Sequence, residues 1–413
     1  MLTISDTLTA DVHALAYGGD GVARCDGRVI FIPESAPGDR LRVRVTQVKK
    51  RYARAACLDL ITPSPQRMAP CCRVIDPDSG EPVRVPGCCY DHLAYPAEVA
   101  AKQQQLEGLL RCLPSADSLH YEAPFHAPLP LHYRNKITLH AEHRPDGTCV
   151  GYRREASHRV LPLSTCPLAC EAINALLAEL PAQDGFRDLR DGDAVVLRHT
   201  PHDGACWWRA GHISPDAPPL TEASPAGPLQ VARDAFFQVN PPVADALVRT
   251  VQTWFRADRA APDILDLYCG VGVFGFALLQ AGGTCLTGVE SGRSAIRDAQ
   301  RNARALGLDA DFRCASLGRD AVDFAALIRT PSQTTVLIDP PRDGMAPGLA
   351  RALATCRARR IFYVSCDPAT LARDLAVLLP GGYRIARVKL FDMFPRTAHF
   401  ESLVELIRSE AQG

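Results

Sequence analysis

The chain carries no net charge, with 46 Lys and Arg against 46 Asp and Glu in 413 residues. That balance excludes a protein that coats a polyanion over its whole surface, yet leaves room for a local basic groove. Long apolar runs are also missing. None approaches the roughly 20 residues that cross a bilayer, so no membrane-spanning helix and no membrane partner is expected. The start, Met1-Leu2-Thr3-Ile4-Ser5-Asp6, lacks a basic segment followed by an apolar one, so no secretory signal and a cytoplasmic location are expected. No internal repeat is present.

Cysteine, in contrast, is plentiful: there are 16. In a compartment that keeps thiols reduced these are not expected to be disulfides, and those that cluster suggest metal ligation or catalysis. Isolated ones in strand-like runs, such as Cys285 and Cys314, are expected to be small core hydrophobes. The length allows two or three domains with substantial cores.

Residues 1–62 read as short strands and turns. Gly18-Gly19-Asp20-Gly21, Asp26-Gly27 and Pro37-Gly38-Asp39 punctuate apolar runs such as Val29-Ile30-Phe31-Ile32. The pattern predicts a small β-barrel of the kind that binds oligonucleotides. The nearby cations Arg40, Arg42, Arg44, Lys49, Lys50, Arg51 and Arg54 read either as an RNA-facing groove or as a solvated strand face. Residues 63–233 form a second region. It holds a Pro-, Gly- and Cys-rich stretch to about residue 92, a polar helix over Pro96–Cys112, strand-like runs at Tyr133–His140 and Ala194–His199, and a helix near Cys170–Leu180.

From residue 234 to 413 strands and helices alternate, which predicts an α/β fold with a doubly wound, mostly parallel sheet. Strand candidates are Ile264–Tyr268, Cys285–Val289, Asp311–Cys314, Thr335–Ile338, Ile361–Val364, Tyr383–Leu390 and Phe400–Ile407. Gly270-Val271-Gly272-Val273-Phe274-Gly275 matches G-x-G-x-x-G between a strand and a helix, and Glu290 stands 20 residues on as a ribose-binding acid. By themselves these residues suit a dehydrogenase equally well. Asp339-Pro340-Pro341-Arg342 and Ser365-Cys366-Asp367-Pro368 follow the fourth and fifth strands. Ligands of such sheets sit beyond the carboxyl ends of the strands, so Gly270, Asp339 and Cys366 are expected around one crevice. Hydride transfer has no obvious use for a thiol there. Methylation of a pyrimidine at C5 does, because C5 is a poor nucleophile until a thiolate adds to C6.

With Phe237-Gln238-Val239-Asn240, Asp266-Leu267-Tyr268-Cys269-Gly270 and His399-Phe400-Glu401, these patches resemble the S-adenosylmethionine-dependent RNA uracil-5-methyltransferases. The resemblance runs over nearly the whole chain. It includes Tyr133-Arg134-Asn135-Lys136 and an amino-terminal barrel similar to a TRAM domain. It implies a Rossmann-like methyltransferase domain, a central α+β domain, and RNA as substrate, ribosomal RNA ahead of transfer RNA, acted on by a monomer. It also implies Cys366 as nucleophile, Glu401 as the base that removes the C5 proton, and Gln238, Tyr268, Glu290 and Asp339 as cofactor contacts. Such folds insert an antiparallel last strand beside the fifth, which would bring Glu401 to Cys366. Two residues depart from the family's usual pattern: Asp367 stands where Asn is common, and Arg396 where His is common.

Many such enzymes hold a [4Fe–4S] cluster on a lone Cys, a C-x-x-C pair and a distant Cys. The resemblance implies Cys72, Cys88 and Cys166 as ligands, with Cys89 or Cys71 as the fourth, because position 85, where the pair should begin, is Val85. Zinc on four thiolates and a metal-free group of core thiols are the other readings. Two other functions compete. RNA cytosine-5-methyltransferases usually carry a Cys where this chain has Arg342. A non-catalytic RNA-binding factor would have no need of both Cys366 and Glu401.

Overall fold

A computed structural model of the chain describes residues 2–409 except 115–117, 146, 155, 156, 158, 215, 259, 319–326 and 329. The amino-terminal sheet holds β1 (Thr7–Asp11), β2 (Ala14–Leu15), β3 (Gly21–Cys25), β4 (Arg28–Ile32), β5 (Arg40–Val48) and β6 (Tyr52–Thr62), in the order β1-β5-β6-β4-β3-β2. Strand periodicity explains its packing. Leu41, Val43 and Val45 point into the core, and the alternate Arg40, Arg42 and Arg44 face solvent. The basic run is therefore an exposed strand face. Part of it is matched by acids, Arg42 by Asp59, Arg40 by Asp11 and Arg54 by Asp20.

The middle of the chain begins with a hairpin, β7 (Arg73–Ile75) and β8 (Pro82–Arg84), and then helix α1 (Tyr95–Leu110). A five-stranded antiparallel sheet follows: β9 (Lys136–Arg144), β10 (Gly147–Arg153), β11 (Val160–Pro162), β12 (Ala194–Thr200) and β13 (Gly204–Arg209). Helix α2 (Glu171–Glu179) covers it, and a hairpin of β14 (Leu220–Glu222) and β15 (Leu229–Val231) leads out of it. Helix α1 does not pack on this sheet. Its Val99, Leu106 and Leu110 join the core of the carboxy-terminal sheet, beside Leu371, Leu375 and Phe400.

That last sheet has seven strands: β16 (Asp263–Leu267), β17 (Cys285–Glu290), β18 (Asp311–Cys314), β19 (Thr334–Ile338), β20 (Arg360–Ser365), β21 (Tyr383–Phe391) and β22 (Glu401–Arg408). Their order is β18-β17-β16-β19-β20-β22-β21, and all pairs are parallel except those made by β22. Helices α3 (Pro241–Ala257), α4 (Val273–Gln280) and α5 (Arg293–Leu306), with the helices Pro347–Thr355 and Pro368–Leu378, cover its two faces. Every residue of β19 and β20 is buried, as expected of central strands covered on both sides. Each of the seven strands lies where the sequence places it, within two residues at either end. Cys285 and Cys314, expected in the core, are instead exposed. One begins β17 and the other ends the edge strand β18, so both stand at the margin of the sheet. Among the described residues, no helix is long and apolar enough to cross a membrane.

Candidate active site

The carboxyl ends of β16, β17, β19 and β20 open into one cavity of about 1030 Å³. Its lining includes Gln238, Tyr268, Gly270, Glu290, Asp339, Cys366 and Glu401. The structure thus brings together all seven residues expected for catalysis and cofactor binding, from six separate stretches of chain.

At the cofactor end the backbone turns sharply after β16. Tyr268 has φ +62°, rare for a residue with a side chain, and Gly270 and Gly272 follow at +53° and +93°. A Cβ on Gly270 would meet nothing within 4 Å, so the space beside it is open to a ligand. At Gly275 a Cβ would come within 2.8 Å of Leu286, so that glycine lets α4 lie close on the sheet. The Glu290 carboxylate spans the turn, accepting from the amides of Gly270 at 3.3 Å and Gly292 at 2.7 Å. Asp266 lies beneath, accepting from the Gly275 amide at 3.0 Å. Burial, against that amide and with help from Asp339 and Glu290, pushes its pKa up to about 8. Burial and the charge of Glu290 raise Asp339 to about 7. This end of the cavity is crowded with carboxyl groups, and a cation bound there would relieve them.

At the other end stand Cys366 and Glu401. Strand β22 runs antiparallel to β20 with Ser402 opposite Ser365, so the next pair outward is Glu401 opposite Cys366. The Ser402 hydroxyl donates to the Ser365 carbonyl at 3.2 Å and fastens that register. Glu401 is 3% exposed, and its Oε2 has no hydrogen-bond partner. Burial first, then Asp339, holds the Glu401 pKa well above the carboxylate range, with Arg342 opposing. Burial, Glu401 and Asp339 together push the Cys366 thiol up to about 12, and again Arg342 opposes. Arg342 is thus the cation that favours ionisation of both groups. Burial and neighbouring cations, Arg342 first among them, lower His399 to about 4, so that imidazole is neutral at neutral pH.

Both departures from the family pattern have structural roles. Asp367 caps the helix Pro368–Leu378, its Oδ1 accepting from the amides of Ala369 and Thr370 at 2.9 Å each. Arg396 sits at φ +68° in the segment leading to β22, and its buried guanidinium donates to the Leu93 carbonyl at 2.7 Å. The Glu98 carboxylate receives the Arg396 amide at 2.7 Å, and Lys102 bridges Glu98 and Asp392 at 2.7 Å each. These α1 residues fix the approach to Glu401, and sequence reasoning missed them. The available signal was Lys102 one turn after Glu98 on a helix whose inward face also carries Val99, Leu106 and Leu110. The Tyr133–Lys136 motif ties that segment and the Phe237–Asn240 patch: the Tyr133 hydroxyl donates to the Pro395 carbonyl at 3.1 Å, and the Asn135 amide to the Val239 carbonyl at 3.0 Å.

The expected metal ligands do not all meet. Cys72, Cys88 and Cys166 share one buried apolar group, with the sulfurs of Cys72 and Cys88 within bonding distance of each other. Cys89 points away, packed with Leu15, Tyr90 and Leu93, because successive side chains of an extended segment face opposite sides. Cys71 donates to the Asp91 carbonyl. Val85, which is 1% exposed, takes a place in the wall beside the three thiols. Among the described residues, no group of three or more His, Cys, Asp or Glu side chains is arranged to hold a metal ion. A [4Fe–4S] cluster needs four thiolates, and the residues present do not fit it.

A glycine turn with Glu290 beside it, facing a thiol and a carboxylate across one cavity, defines a Rossmann-like enzyme of the nucleotide-cofactor class. Comparison with known proteins narrows the class. A tRNA (Uracil-5-)-methyltransferase family model matches residues 326–409, and a TRAM domain model matches residues 2–58. An uncharacterized RNA methyltransferase of Thermosynechococcus vestitus is 32% identical over 98% of both chains. The 23S rRNA (uracil(1939)-C(5))-methyltransferase of Chromohalobacter salexigens is 32% identical over 100% of this chain and 92% of its own. The crystal structure of the Pyrococcus abyssi tRNA (uracil-54, C5)-methyltransferase with S-adenosyl-L-homocysteine superposes with a TM-score of 0.71 at 26% identity, over 97% of this chain and 99% of that one. The chain belongs to the RNA uracil-5-methyltransferase family.

Proposed function

We propose that the protein transfers a methyl group from S-adenosylmethionine to C5 of a uridine in structured RNA, through a covalent bond between Cys366 and C6. The observation that carries this reading is the register of β20 and β22, which sets a thiol opposite a carboxylate with an unpartnered oxygen at the mouth of the cofactor cavity. Gly270, Glu290 and Asp339, with Tyr268 and Gln238 beside them, suit the cofactor. Its sulfonium charge suits the crowded carboxyl groups, and when bound it supplies an electrophilic methyl.

The Cys366 thiolate adds to C6, and the C5–C6 π electrons move into the enolate that ends at O4. C5 then takes up the methyl. The Glu401 carboxylate removes the C5 proton, that C–H electron pair restores the C5–C6 double bond, and the C6–S bond breaks to return the thiolate. Arg342, by favouring the ionised forms of Cys366 and Glu401, supports both steps. Every group in this scheme comes from one chain, which suits a monomer, and a cytoplasmic location suits an RNA substrate. Ribosomal RNA is the substrate the whole-length similarity to a 23S rRNA enzyme favours. Residues 1–62, 63–233 and 234–413 serve in this reading as RNA-binding barrel, central domain and methyltransferase domain. No step runs through a metal on Cys72, Cys88, Cys89 and Cys166.

Glu401→Gln tests the scheme. Turnover should fall about 10²–10⁴-fold, and protein joined covalently to methylated RNA should accumulate on a denaturing gel. Normal turnover, or no adduct despite RNA binding, would remove Glu401 from the role of base. Mass-spectrometric mapping of 5-methyluridine in RNA from cells with and without the protein identifies the target.

A further inference from the structure

One side chain of the amino-terminal barrel reaches the catalytic pair. Tyr17 lies in the turn between β2 and β3, where Gly18 and Gly19 have φ +107° and +99°. Its hydroxyl donates to Asp367 Oδ2 at 3.4 Å, and its ring stands edge-on to Phe400 with centroids 6.2 Å apart. Asp367 is the chain neighbour of Cys366, and Phe400 that of Glu401. A single barrel residue therefore touches the neighbour of each group that the proposed reaction uses.

The turn is held from two further sides. The Gln105 side-chain amide donates to the carbonyls of Leu15 at 3.3 Å and Ala16 at 3.1 Å. A Cβ on Gly19 would lie 2.6 Å from the Cys89 side chain, so the turn presses directly on the middle region. Asp367 is held from its other side, because its Oδ1 caps the helix Pro368–Leu378. The Tyr17 hydroxyl is the side-chain donor on Oδ2, and Phe400 is fully buried. Moving the β2–β3 turn therefore shifts both walls of the base site together.

We propose that Tyr17 is a positioning residue: the barrel, through this side chain, sets the spacing of Cys366 and Glu401 when RNA is held on it. The barrel thereby completes the reaction site as well as holding substrate. This inference rests on the functional reading above, and its test separates the two. A displacement of about 1 Å at reacting atoms costs on the order of 100-fold in rate, so a positioning role acts on the chemical step and not on affinity.

The experiment uses the full chain, S-adenosylmethionine, and unmodified in vitro transcripts of 23S rRNA and of tRNA as the two probes. Tyr17→Phe keeps the ring against Phe400 and removes the hydroxyl; Tyr17→Ala removes both. On the transcript that the unaltered protein methylates, single-turnover rates at saturating RNA should fall about tenfold in Tyr17→Phe and about 100-fold in Tyr17→Ala. RNA and cofactor dissociation constants should stay within about twofold. In an Asp367→Asn background, which keeps the helix cap, Tyr17→Phe should have little further effect if it acts through that carboxylate. Should Tyr17→Ala fail to fold, Tyr17→Phe and the double variant still decide. An unchanged single-turnover rate, or a loss confined to RNA affinity, overturns the positioning role. If the unaltered protein methylates neither transcript, the functional reading fails, and this inference with it.

Discussion

Two buried clusters of charge lie close together in this molecule and behave differently. In one, Glu98, Lys102, Asp392 and Arg396 are each at most 3% exposed, two acids face two bases, and short hydrogen bonds join them. Burial alone would lower the Lys102 pKa, but Asp392 and Glu98 outweigh it and hold the ammonium above its usual value. In the other, Glu290, Asp339 and Glu401 share the cavity with Cys366, Asp266 lies beneath the glycine turn, and Arg342 is the cation that opposes the shifts of Cys366 and Glu401. Burial raises carboxyl pKa values in both, Glu98 to about 7 in the first and Asp339 to about 7 and Asp266 to about 8 in the second, and leaves an oxygen without a partner on Asp392 as on Asp266 and Glu401. What differs is that two bases are hydrogen-bonded into the first cluster. Paired with bases, buried acids hold backbone in place; gathered at a cavity with few bases, they mark a candidate functional site.

The comparison breaks most severely at Cys366. Cys366→Ala should lower methyl transfer by on the order of 10⁴-fold or more, because no other nucleophile stands at C6. Cofactor binding, followed by calorimetry, should stay within about twofold, and no RNA adduct should form. Retained turnover would defeat the mechanism.

In the matched cluster the expected effect is on stability. Lys102→Met leaves Glu98 and Asp392 buried without their cation and should cost about 3–5 kcal/mol. For a domain of this size that is a fall in Tm of roughly 10 °C. An unchanged Tm would show that the two acids take up protons at no cost, and the contrast between the clusters would lose its basis.

Arg342→Gln sharpens the unmatched side. Removing the cation raises the Cys366 pKa further, so less thiolate is present at any pH below it. Adduct formation, measured by rapid quench, should climb with pH from 7 to 9 in both proteins. The variant should run parallel and about tenfold or less below, since one pKa unit is one decade of thiolate. Coincident profiles would remove Arg342 from the electrostatics of the thiol.

The smallest effect on catalysis is expected at the cysteine group. Protein purified without oxygen should hold well under the four irons of a [4Fe–4S] cluster, and Val85→Cys, which adds a fourth thiol to that wall, should raise the iron content. Four irons in the unaltered chain would mean that Cys71 or Cys89 turns inward.

Strand periodicity and turn residues located all seven strands of the last sheet, and short motifs located Cys366, Glu401 and the glycine turn. These features depend on neighbours in sequence. Antiparallel insertion of β22 was anticipated only through the family resemblance, since nothing local in Phe400–Ile407 states which strand it joins. The roles of Tyr17 and Arg396 were illegible because each depends on a partner hundreds of residues away, and the pairing of Glu98 with Lys102 one turn on gave no sign of Asp392, 290 residues further along. The misplaced Cys285 and Cys314 stand at strand ends and Cys89 on the side of its segment away from Cys88: composition suggests that a thiol will be buried, whereas its place in the strand decides.

The lock between α1 and the segment 392–401 bears on how such an enzyme can be rearranged. A gene fragment encoding only residues 234–413 would keep every group assigned to chemistry, yet Asp392 and the Arg396 guanidinium would lose Lys102, Glu98 and the Leu93 carbonyl. It would also bare the apolar patch that Val99, Leu106 and Leu110 cover. The catalytic half of this protein is therefore not a portable module. Swapping its neighbours for those of a relative should succeed only when helix α1 travels with it.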